Sequence, residues 1–316
     1  MPLNRTSPAS CLLCHSSAVR LLDEISSSAL PEAYRDELGL AITYRADHVA
    51  YMMCDSCDLR FFWPVVTGTE EFYAELQKIS WYYNPDKQEF RIAAAYVSAG
   101  DAVLEIGAGR GLFSRQITGV SYTGLEFSPA AIQAAAADGI RLLAESVEHH
   151  AQANGGRYAI VCAFQVLEHV ADPRSFLEAA VGCLRDGGRL IISVPGEDSF
   201  AQHAYWDVLN MPPHHVTRWT DACLRSVASL CGLRIAALVP EPLGRNMRRA
   251  HATALADRWL ADLFRMKPRL LDKRLKRPVF RSLSAIASRL LRTYLSLTGR
   301  NNRRGHSVVA VYEKSL

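Results

Sequence analysis

Between residues 103 and 111 the chain reads VLEIGAGRG, an apolar run that passes directly into three alternating glycines. Glycines at these positions permit a tight turn and let backbone N–H groups approach a ligand at the start of the following helix. Glu126 lies 19 residues after Gly107, where a second strand is predicted to end. A carboxylate there can accept hydrogen bonds from both hydroxyls of a ribose. The stretch therefore predicts a strand–turn–helix unit that binds an adenosine-containing cofactor.

The spacing of the glycines separates two cofactors. The dinucleotide fingerprint G-x-G-x-x-G requires glycine at position 112, where this chain has Leu112. An acid, Glu105, stands two residues before the first glycine. That carboxylate is poorly suited to a pyrophosphate but well suited to a ligand with an amino group. S-adenosylmethionine has one, so the turn favours this cofactor over NAD.

Strands and helices alternate around this turn, as in a parallel α/β sheet. The predicted strands cover residues 102–107, 121–127, 140–144, 158–164, 189–195, 233–240 and 307–314. Ser128 and Pro129 predict a helix start and Gly139 its end. Thr220 and Gly232 bracket a second helix in the same way. The pattern predicts an α/β fold in which a last strand returns to the sheet.

The composition is that of a folded protein. Of 316 residues, 49% are hydrophobic and 22% are charged, which excludes a wholly disordered chain, a collagen-like chain and a small disulfide-stapled fold. No apolar run approaches the roughly 18 residues of a membrane helix. The N-terminus has no long apolar segment of the secretory type. We therefore expect a cytoplasmic protein.

The chain divides into four predicted parts. They are a zinc-ribbon-like domain at 1–66, a helical joint at 67–99, a cofactor-binding domain at 100–243 plus 306–316, and a basic helical insertion at 244–305. In the joint, Tyr82, Tyr83 and Phe90 are candidates for lining a substrate pocket, with packing of the joint as the alternative. No internal repeat is present.

Four of the eight cysteines form two C-x-x-C pairs, Cys11 with Cys14 and Cys54 with Cys57. Each pair makes a chelating knuckle, and two such pairs are typical of tetrahedral zinc. The 39 residues between the pairs exceed the compact zinc-ribbon spacing and require an inserted hairpin or loop. Disulfides or free thiols are the alternative, although nothing indicates an oxidising compartment. The pattern predicts a structural Zn²⁺ site.

The segment 245–304 is strongly basic. It holds 17 Lys and Arg against three Asp, a local balance of +14 in a chain whose net charge is +4. Within 279–297, helical spacing puts six apolar side chains on one face: Phe280, Leu283, Ile286, Leu290, Leu291 and Tyr294. We interpret this helix as a lid packed on the sheet, with contact to an anionic substrate or weak contact with an anionic membrane as alternatives. Nucleic acid is not expected, because the charged face lacks interleaved aromatic side chains.

Four stretches, taken in order, resemble a known family. They are VLEIGAGRG (103–111), TGLEFSP (123–129), CAFQVLEHVADP (162–173) and LRDGGRLIISVPGED (184–198). Together they resemble the class I S-adenosylmethionine-dependent methyltransferases, in particular small-molecule and sugar enzymes with an N-terminal zinc-ribbon-like domain. The resemblance spans about 100–240 and the last strand. It implies a Rossmann-like, doubly wound seven-stranded sheet with S-adenosyl-L-methionine as cofactor.

The resemblance also implies cofactor-binding residues. Glu105 and the backbone of the glycine turn would hold the methionine end of the cofactor. Glu126 would hold the ribose, with Phe127 against the adenine. Glu145 matches, more loosely, the position at which the family has an acid near the adenine amino group. The alternative is that Glu145 is a solvated acid in a loop. The remaining residues are Gly107, Ala108, Gly109 and Gly111 in the turn, and Phe164 and Gln165 beneath the sulfonium.

Histidines carry the catalytic hypothesis, because methyl transfer to a hydroxyl requires a base and histidine titrates near pH 7. Glu168-His169 resembles the Glu-His of ubiquinone-biosynthesis O-methyltransferases. Gln165 stands where some of those relatives have a further metal-binding acid, so no catalytic metal is expected. His214 and His215 lie in a loop after the fifth parallel strand, where deoxysugar C-methyltransferases have an acid-His pair. We predict His215 as the base, with His214 and His169 as the next candidates. A structural role for these histidines is the alternative.

These observations predict methyl transfer to a small molecule or glycan precursor, with a sugar hydroxyl as the first choice and C-methylation of a deoxysugar as the second. An RNA or protein methyltransferase and a non-catalytic cofactor-binding protein are the alternatives from other classes. The oligomeric state and the identity of the acceptor are left open.

Overall fold

The computed structural model describes residues 8, 10–26, 28–44, 48–79, 87–297 and 304–316. Tyr82 and Tyr83 lie outside these described residues. In the ranges given, no helix has both the length and the apolar character that a bilayer crossing requires.

Two sheets organise the chain. The strands are β1 (Val19–Ser26), β2 (His48–Cys54), β3 (Arg60–Trp63), β4 (Ala102–Ile106), β5 (Ser121–Leu125), β6 (Leu142–Leu143), β7 (Tyr158–Phe164), β8 (Leu184–Pro195), β9 (Thr217–Arg218), β10 (Leu233–Pro242) and β11 (Arg304–Lys314). The helices are α1 (Ala29–Leu38), α2 (Glu70–Gln77), α3 (Gln88–Ala94), α4 (Pro129–Ala137), α5 (Val147–Asn154), α6 (Pro173–Cys183), α7 (Asp221–Leu230), α8 (Arg248–Leu263) and α9 (Pro278–Leu297).

The larger sheet has seven strands in the order β10-β11-β8-β7-β4-β5-β6. The five strands from β8 to β6 are parallel, and β10 and β11 pair antiparallel at the other edge. This arrangement is the doubly wound seven-stranded sheet that the resemblance implies, and the predicted α/β class and the return of the last strand are confirmed.

The core of this sheet lies on both of its faces. Every residue of β7 is buried, as expected for a central parallel strand covered on two sides. Leu104 packs in a cluster with residues of α6 and α7, whereas the adjacent Val103 packs with Phe90 of α3 and Phe113. The period of two along β4 therefore supplies both layers of the core.

The helix signals in the sequence act as predicted. The side chain of Ser128 accepts a hydrogen bond from the backbone N of Ala131 (3.3 Å), with Pro129 as the first helical residue. Thr220 accepts one from the backbone N of Cys223 (3.0 Å) at the start of α7. These side chains satisfy N–H groups that have no partner inside the helix.

The glycine turn leads into a short 3₁₀ helix, Leu112–Gln116, rather than a longer α-helix. Gly107 has φ +67°, and a Cβ placed on it would lie 2.5 Å from Cγ2 of Val166. The turn therefore needs glycine both for its left-handed backbone and for its contact with the neighbouring loop.

The smaller sheet is antiparallel, with the order β1-β2-β3-β9. Its last strand, β9, comes from the residues that follow β8 and pairs with β3 through Arg60–Arg218 and Phe61–Thr217. The N-terminal sheet is thus completed by the region that was predicted to form the cofactor-binding domain. The boundaries predicted at 66, 99, 243 and 305 stay a prediction.

A buried charge network joins the two sheets. The Glu197 carboxylate accepts hydrogen bonds from the Tyr51 hydroxyl (3.1 Å) and from Nη1 of Arg60 (3.0 Å), and it lies 3.7 Å from Nη1 of Arg218. The Arg218 guanidinium also lies over the rings of Tyr51 and Phe62. Sequence analysis did not identify this network, which fixes β9 against β2 and β3.

The basic segment folds into the helix pair α8 and α9, and one prediction about it is wrong. The six apolar residues predicted on one face of α9 do not form its packed face: Phe280 is buried, whereas Ile286 and Leu290 are 60% and 68% exposed. The packed face instead contains Ser284, which donates to Asp257 of α8 (2.5 Å), and Ser288, which hydrogen-bonds to Thr253. Hydroxyl pairing with α8 thus decides the orientation of α9 and leaves an apolar stripe outward.

Candidate active site

A cavity of about 1670 Å³ opens at the carboxyl ends of the parallel strands. The ends of β4, β5 and β7 form its floor, α2 and the start of α3 form one wall, and the segment 241–247 forms another. Ligands bind at this edge of open α/β sheets because the loops that follow the strands converge there.

Glu105 at the end of β4 lines this cavity and is almost fully buried. Burial raises its pKa to about 8, although the Tyr122 hydroxyl donates a short hydrogen bond to Oε2 (2.5 Å) and favours the charged form. A buried carboxyl group of this kind provides a strong site for a cationic ligand group. The predicted position of Glu105, beside the glycine turn, therefore coincides with a site suited to an amino group.

Glu126 lines the cavity at the end of β5 and is held by three backbone groups. Its Oε2 accepts from the N–H of Gly109 (2.7 Å), and its Oε1 accepts from the N–H groups of Phe127 and Ser128 (2.8 Å each). Each carboxylate oxygen can accept more than one hydrogen bond, so the fixed carboxylate retains capacity for ribose hydroxyls. The Phe127 ring is 68% exposed and also lines the cavity, which leaves its face open to a flat ligand.

Phe164 and Gln165 lie between the strand ends and the histidines. The Phe164 ring packs against Phe90 and Phe113, with centroids 5.0 and 4.9 Å away. Gln165 has φ +58°, a conformation that costs energy in a non-glycine residue and that concentrates at functional sites. Its amide donates to the hydroxyls of Ser193 (2.9 Å) and Ser307 (3.3 Å). The side chain is therefore tied to neighbouring strands.

Two predicted cofactor residues do not line the cavity. The carboxylate of Glu145 contacts Nδ1 of His149 (2.9 Å) and Nδ1 of His150 (2.7 Å), so it stabilises the start of α5. Gly111 lies beneath the turn, where a Cβ would meet Cγ2 of Ile140 at 2.8 Å. Ala108 does line the cavity, together with Gly107 and Gly109.

The structure brings the three predicted histidines together at the cavity wall. One ring nitrogen from each lies within 4.8 Å of the others, close enough for a cluster that could also hold a metal ion. Nδ1 of His169 donates to the carbonyl oxygen of His214 (2.5 Å), and Nδ1 of His214 donates to that of Leu209 (2.7 Å). Nδ1 of His215 faces the amide oxygen of Asn210 (3.1 Å). These contacts put the proton of each ring on Nδ1 and a lone pair on Nε2.

Burial keeps these imidazoles neutral. It lowers the pKa of His169 to about 4 and holds the pKa values of His214 and His215 well below the usual range, an effect that the neighbouring rings reinforce. Glu168 shows the opposite shift, because burial raises its pKa to about 8. Its Oε1 lies 3.9 Å from Nε2 of His215, and neither carboxyl oxygen has a hydrogen-bond partner among the described residues. The cluster thus combines a neutral base with a carboxyl group that can ionise.

Two further residues of the site come from α2 and from the loop that precedes His214 and His215. The Tyr73 hydroxyl of α2 lies 3.3 Å from Nδ1 of His169, and Asn210 orients His215 as described. Sequence analysis missed both. No local signal identifies Tyr73, whereas Asn210, five residues before His215, could have been found once the loop was known to fold back on itself.

The four paired cysteines form a second cluster, away from the cavity. Sγ of Cys11 lies 3.6 Å from that of Cys57, and Sγ of Cys14 lies 3.5 Å from that of Cys54. A tetrahedral zinc with Zn–S bonds of about 2.3 Å has S–S edges of about 3.8 Å. The residues directly after each pair, His15 and Asp58, both have left-handed backbones (φ 57° and 61°), so the two turns have the same shape. The donor set and its spacing fit a tetrahedral metal ion.

The chain matches known proteins in the region of the large sheet. Residues 75–238, just over half of the chain, match the family described as a methyltransferase domain. A ubiquinone biosynthesis O-methyltransferase from Pectobacterium carotovorum subsp. carotovorum is 27% identical over 177 residues, which are 54% of this chain and 72% of that protein.

The chain is also similar, at low sequence identity, to solved structures. A SAM-dependent methyltransferase from Archaeoglobus fulgidus is 14% identical, with 78% of this chain and 95% of that chain covered and a TM-score of 0.48. A geranyl diphosphate C-methyltransferase from Streptomyces coelicolor A3(2), in complex with Mg²⁺, geranyl diphosphate and S-adenosyl-L-homocysteine, is 12% identical, with coverages of 72% and 76% and a TM-score of 0.45.

Proposed function

From the premise that this chain belongs to the methyltransferase-domain family and is an S-adenosylmethionine-dependent methyltransferase, we propose that it methylates a hydroxyl group on a small molecule or glycan precursor, with a sugar hydroxyl as the first choice. The observation that carries the proposal is that the predicted cofactor residues, apart from Gly111 and Glu145, line one cavity together with the histidine cluster. The curated relative is named an O-methyltransferase, which supports an oxygen acceptor.

The cofactor would bind along the strand ends. Glu105 would bind the ammonium of its methionine part, and the fixed carboxylate of Glu126 would bind the ribose hydroxyls, with Phe127 against the adenine. Phe164 and Gln165 would lie nearest the sulfur. When bound, S-adenosylmethionine supplies a methyl group on a positively charged sulfur that leaves as a neutral thioether.

His215 would act as the general base. Its Nδ1–H is directed at Asn210, so the lone pair on Nε2 can take the hydroxyl proton of the acceptor as the oxygen attacks the methyl carbon. The resulting imidazolium would lower the pKa of Glu168, 3.9 Å away, so that this group releases its proton to solvent and stabilises the charge. His169 is the second candidate for the base, because it is the least buried of the three histidines.

The test compares single histidine variants in a methyl-transfer assay against a panel of sugars and other hydroxyl compounds. We expect His215→Ala to lower turnover by about 100-fold while cofactor affinity stays unchanged. His149→Ala is the matched control, because that histidine is exposed on α5 and does not line the cavity. Near-normal turnover in His215→Ala, with a large loss in His169→Ala, would move the base to His169. Loss of turnover with EDTA while the cysteine-bound zinc is retained, with recovery by a transition-metal ion such as Zn²⁺, would instead make the cluster a metal site, because imidazoles favour such ions.

Three alternatives predict different results. A deoxysugar C-methyltransferase would attach the methyl group to carbon, in a product that is stable to ether cleavage. An RNA or protein methyltransferase would bind polynucleotide or protein with strong salt dependence. A non-catalytic protein would bind the cofactor and transfer no methyl group to any acceptor.

We further propose a structural zinc ion at Cys11, Cys14, Cys54 and Cys57. Four thiolates leave no open position, so the ion would stabilise the fold rather than take part in catalysis. We expect about one zinc per chain in freshly purified protein and loss of that zinc in Cys54→Ser. Cys162→Ser is the control, because Cys162 is a buried thiol of β7 outside the cluster. A zinc content well below one per chain in the unaltered protein would refute the site.

A further inference from the structure

A second, smaller pocket of about 360 Å³ lies between the start of α8 and the last turns of α9. Four arginines line it, Arg245, Arg248, Arg249 and Arg292, and so do the polar residues Thr293 and Ser296. No Asp or Glu lines it. Arg245 also lines the large cavity, so the pocket adjoins the candidate active site.

The four guanidinium groups are not neutralised by the part of the chain that the structure describes. None of them takes part in an ion pair there, and Nε of Arg248 is buried without a hydrogen-bond partner. Other arginines of the same segment behave differently, since Arg269, Arg274 and Arg304 each pair with an aspartate. Because like charges that line one concavity without a counter-charge repel each other, the arrangement favours an anionic ligand.

The start of α8 adds to this positive field. The helix has 16 residues, its Met247 cap offers no side-chain hydrogen bond, and its first turn contains no acid. In α4 and α7, by contrast, a Ser or Thr side chain caps the first turn. The N–H of Arg248 bonds to the carbonyl oxygen of Arg245 (3.4 Å), so the contribution of this helix end is its dipole, which also favours an anion.

We propose that this pocket binds a phosphate or pyrophosphate group carried by the acceptor, so that the methylated compound is a phosphate ester or diphosphate. This inference rests on the proposed function, because it requires the acceptor to lie in the large cavity. Guanidinium groups match the planar pairs of phosphate oxygens, and the Ser296 hydroxyl can donate to a remaining oxygen, whereas the Thr293 hydroxyl already donates to the carbonyl oxygen of Arg289 (3.1 Å). Arg245, shared by both spaces, would be the contact between the phosphate arm and the reacting part.

The test is a calorimetric titration of the full chain with inorganic pyrophosphate. We expect saturable binding that weakens at least 10-fold in the double variant Arg248→Gln/Arg292→Gln. Arg258→Gln is the matched control, because Arg258 is an arginine of α8 that pairs with Asp262 on the exposed side. Unchanged pyrophosphate affinity in the double variant, or no binding by the unaltered chain, overturns the proposal.

A second arm separates a lipid headgroup from a soluble phosphate. If the chain binds anionic phosphatidylglycerol vesicles, loses that binding in the double variant and shows no affinity for pyrophosphate, the pocket serves a membrane surface and the acceptor assignment is wrong. Pyrophosphate titration needs no turnover, so its result holds even if no hydroxyl acceptor is found. With a phosphorylated acceptor, the double variant should raise KM at least 10-fold and leave kcat within about twofold, whereas loss of the base lowers kcat.

Discussion

Glu105 is expected to couple cofactor binding to the release of a proton. With a pKa of about 8, its carboxyl group is mostly protonated at pH 7, and the bound cofactor's ammonium requires the carboxylate. For that pKa, the ionised fraction is about 1% at pH 6 and about 24% at pH 7.5. The ligand's own amino group, with a pKa of about 8, falls from about 99% to about 76% protonated over this range, so affinity should rise roughly 18-fold. A net release of about 0.8 proton per cofactor bound is expected at pH 7, because Glu105 loses about 0.9 proton and the ligand takes up about 0.1.

The assay is calorimetry in buffers of different ionisation enthalpy, because the heat from released protons scales with the buffer. S-adenosylhomocysteine, which has the same amino group, serves as a stable ligand. Glu105→Gln should bind more weakly and show neither pH dependence nor proton release. Tyr122→Phe removes the hydroxyl that donates to Glu105, so its pH profile should move to higher pH. A flat profile in the unaltered chain, with full affinity in Glu105→Gln, would refute the role of this residue.

Two further predictions concern stability and the glycine turn. Glu197→Ala leaves the buried Arg218 without its carboxylate and should lower the free energy of unfolding in urea by about 3–5 kcal/mol. The control Glu178→Ala breaks an exposed pair with Arg174 and should lower it by at most about 1 kcal/mol. Equal losses in the two variants would mean that the network contributes little. Gly107→Ala should abolish cofactor binding in calorimetry, because the new methyl group meets Val166. The control Gly139→Ala also lies at positive φ but in open space, so it should cost only backbone strain and keep the affinity for the cofactor. Similar affinities in the two glycine variants would contradict the steric argument.

Local signals in the sequence predicted the parts of the fold that depend on neighbouring residues. The Ser128 and Thr220 caps and the buried run 158–164 each act within a few positions of the chain, and the structure confirms them. The order of alternating strands and helices was enough to predict the parallel sheet, because crossover connections leave few arrangements open.

Local signals could not predict the features that depend on residues far away in the sequence. Strand β9 has two residues and exists because β3 offers an edge to it. In α9, apolar spacing indicated a packed face, but hydroxyl pairs with α8 determine which side is covered. In each case an interaction from another element outweighs the local pattern.

The pairing of β9 with β3 bears on how this protein can be cut or recombined. His214 and His215 lie just before β9, so their loop is anchored by hydrogen bonds to a strand that lies six residues after Cys54. A truncation that removes the first 66 residues would leave that loop without its anchor, even though the cofactor strands would be complete. Chimeras that exchange the N-terminal segment between relatives would therefore have to transplant residues 217–218 along with it.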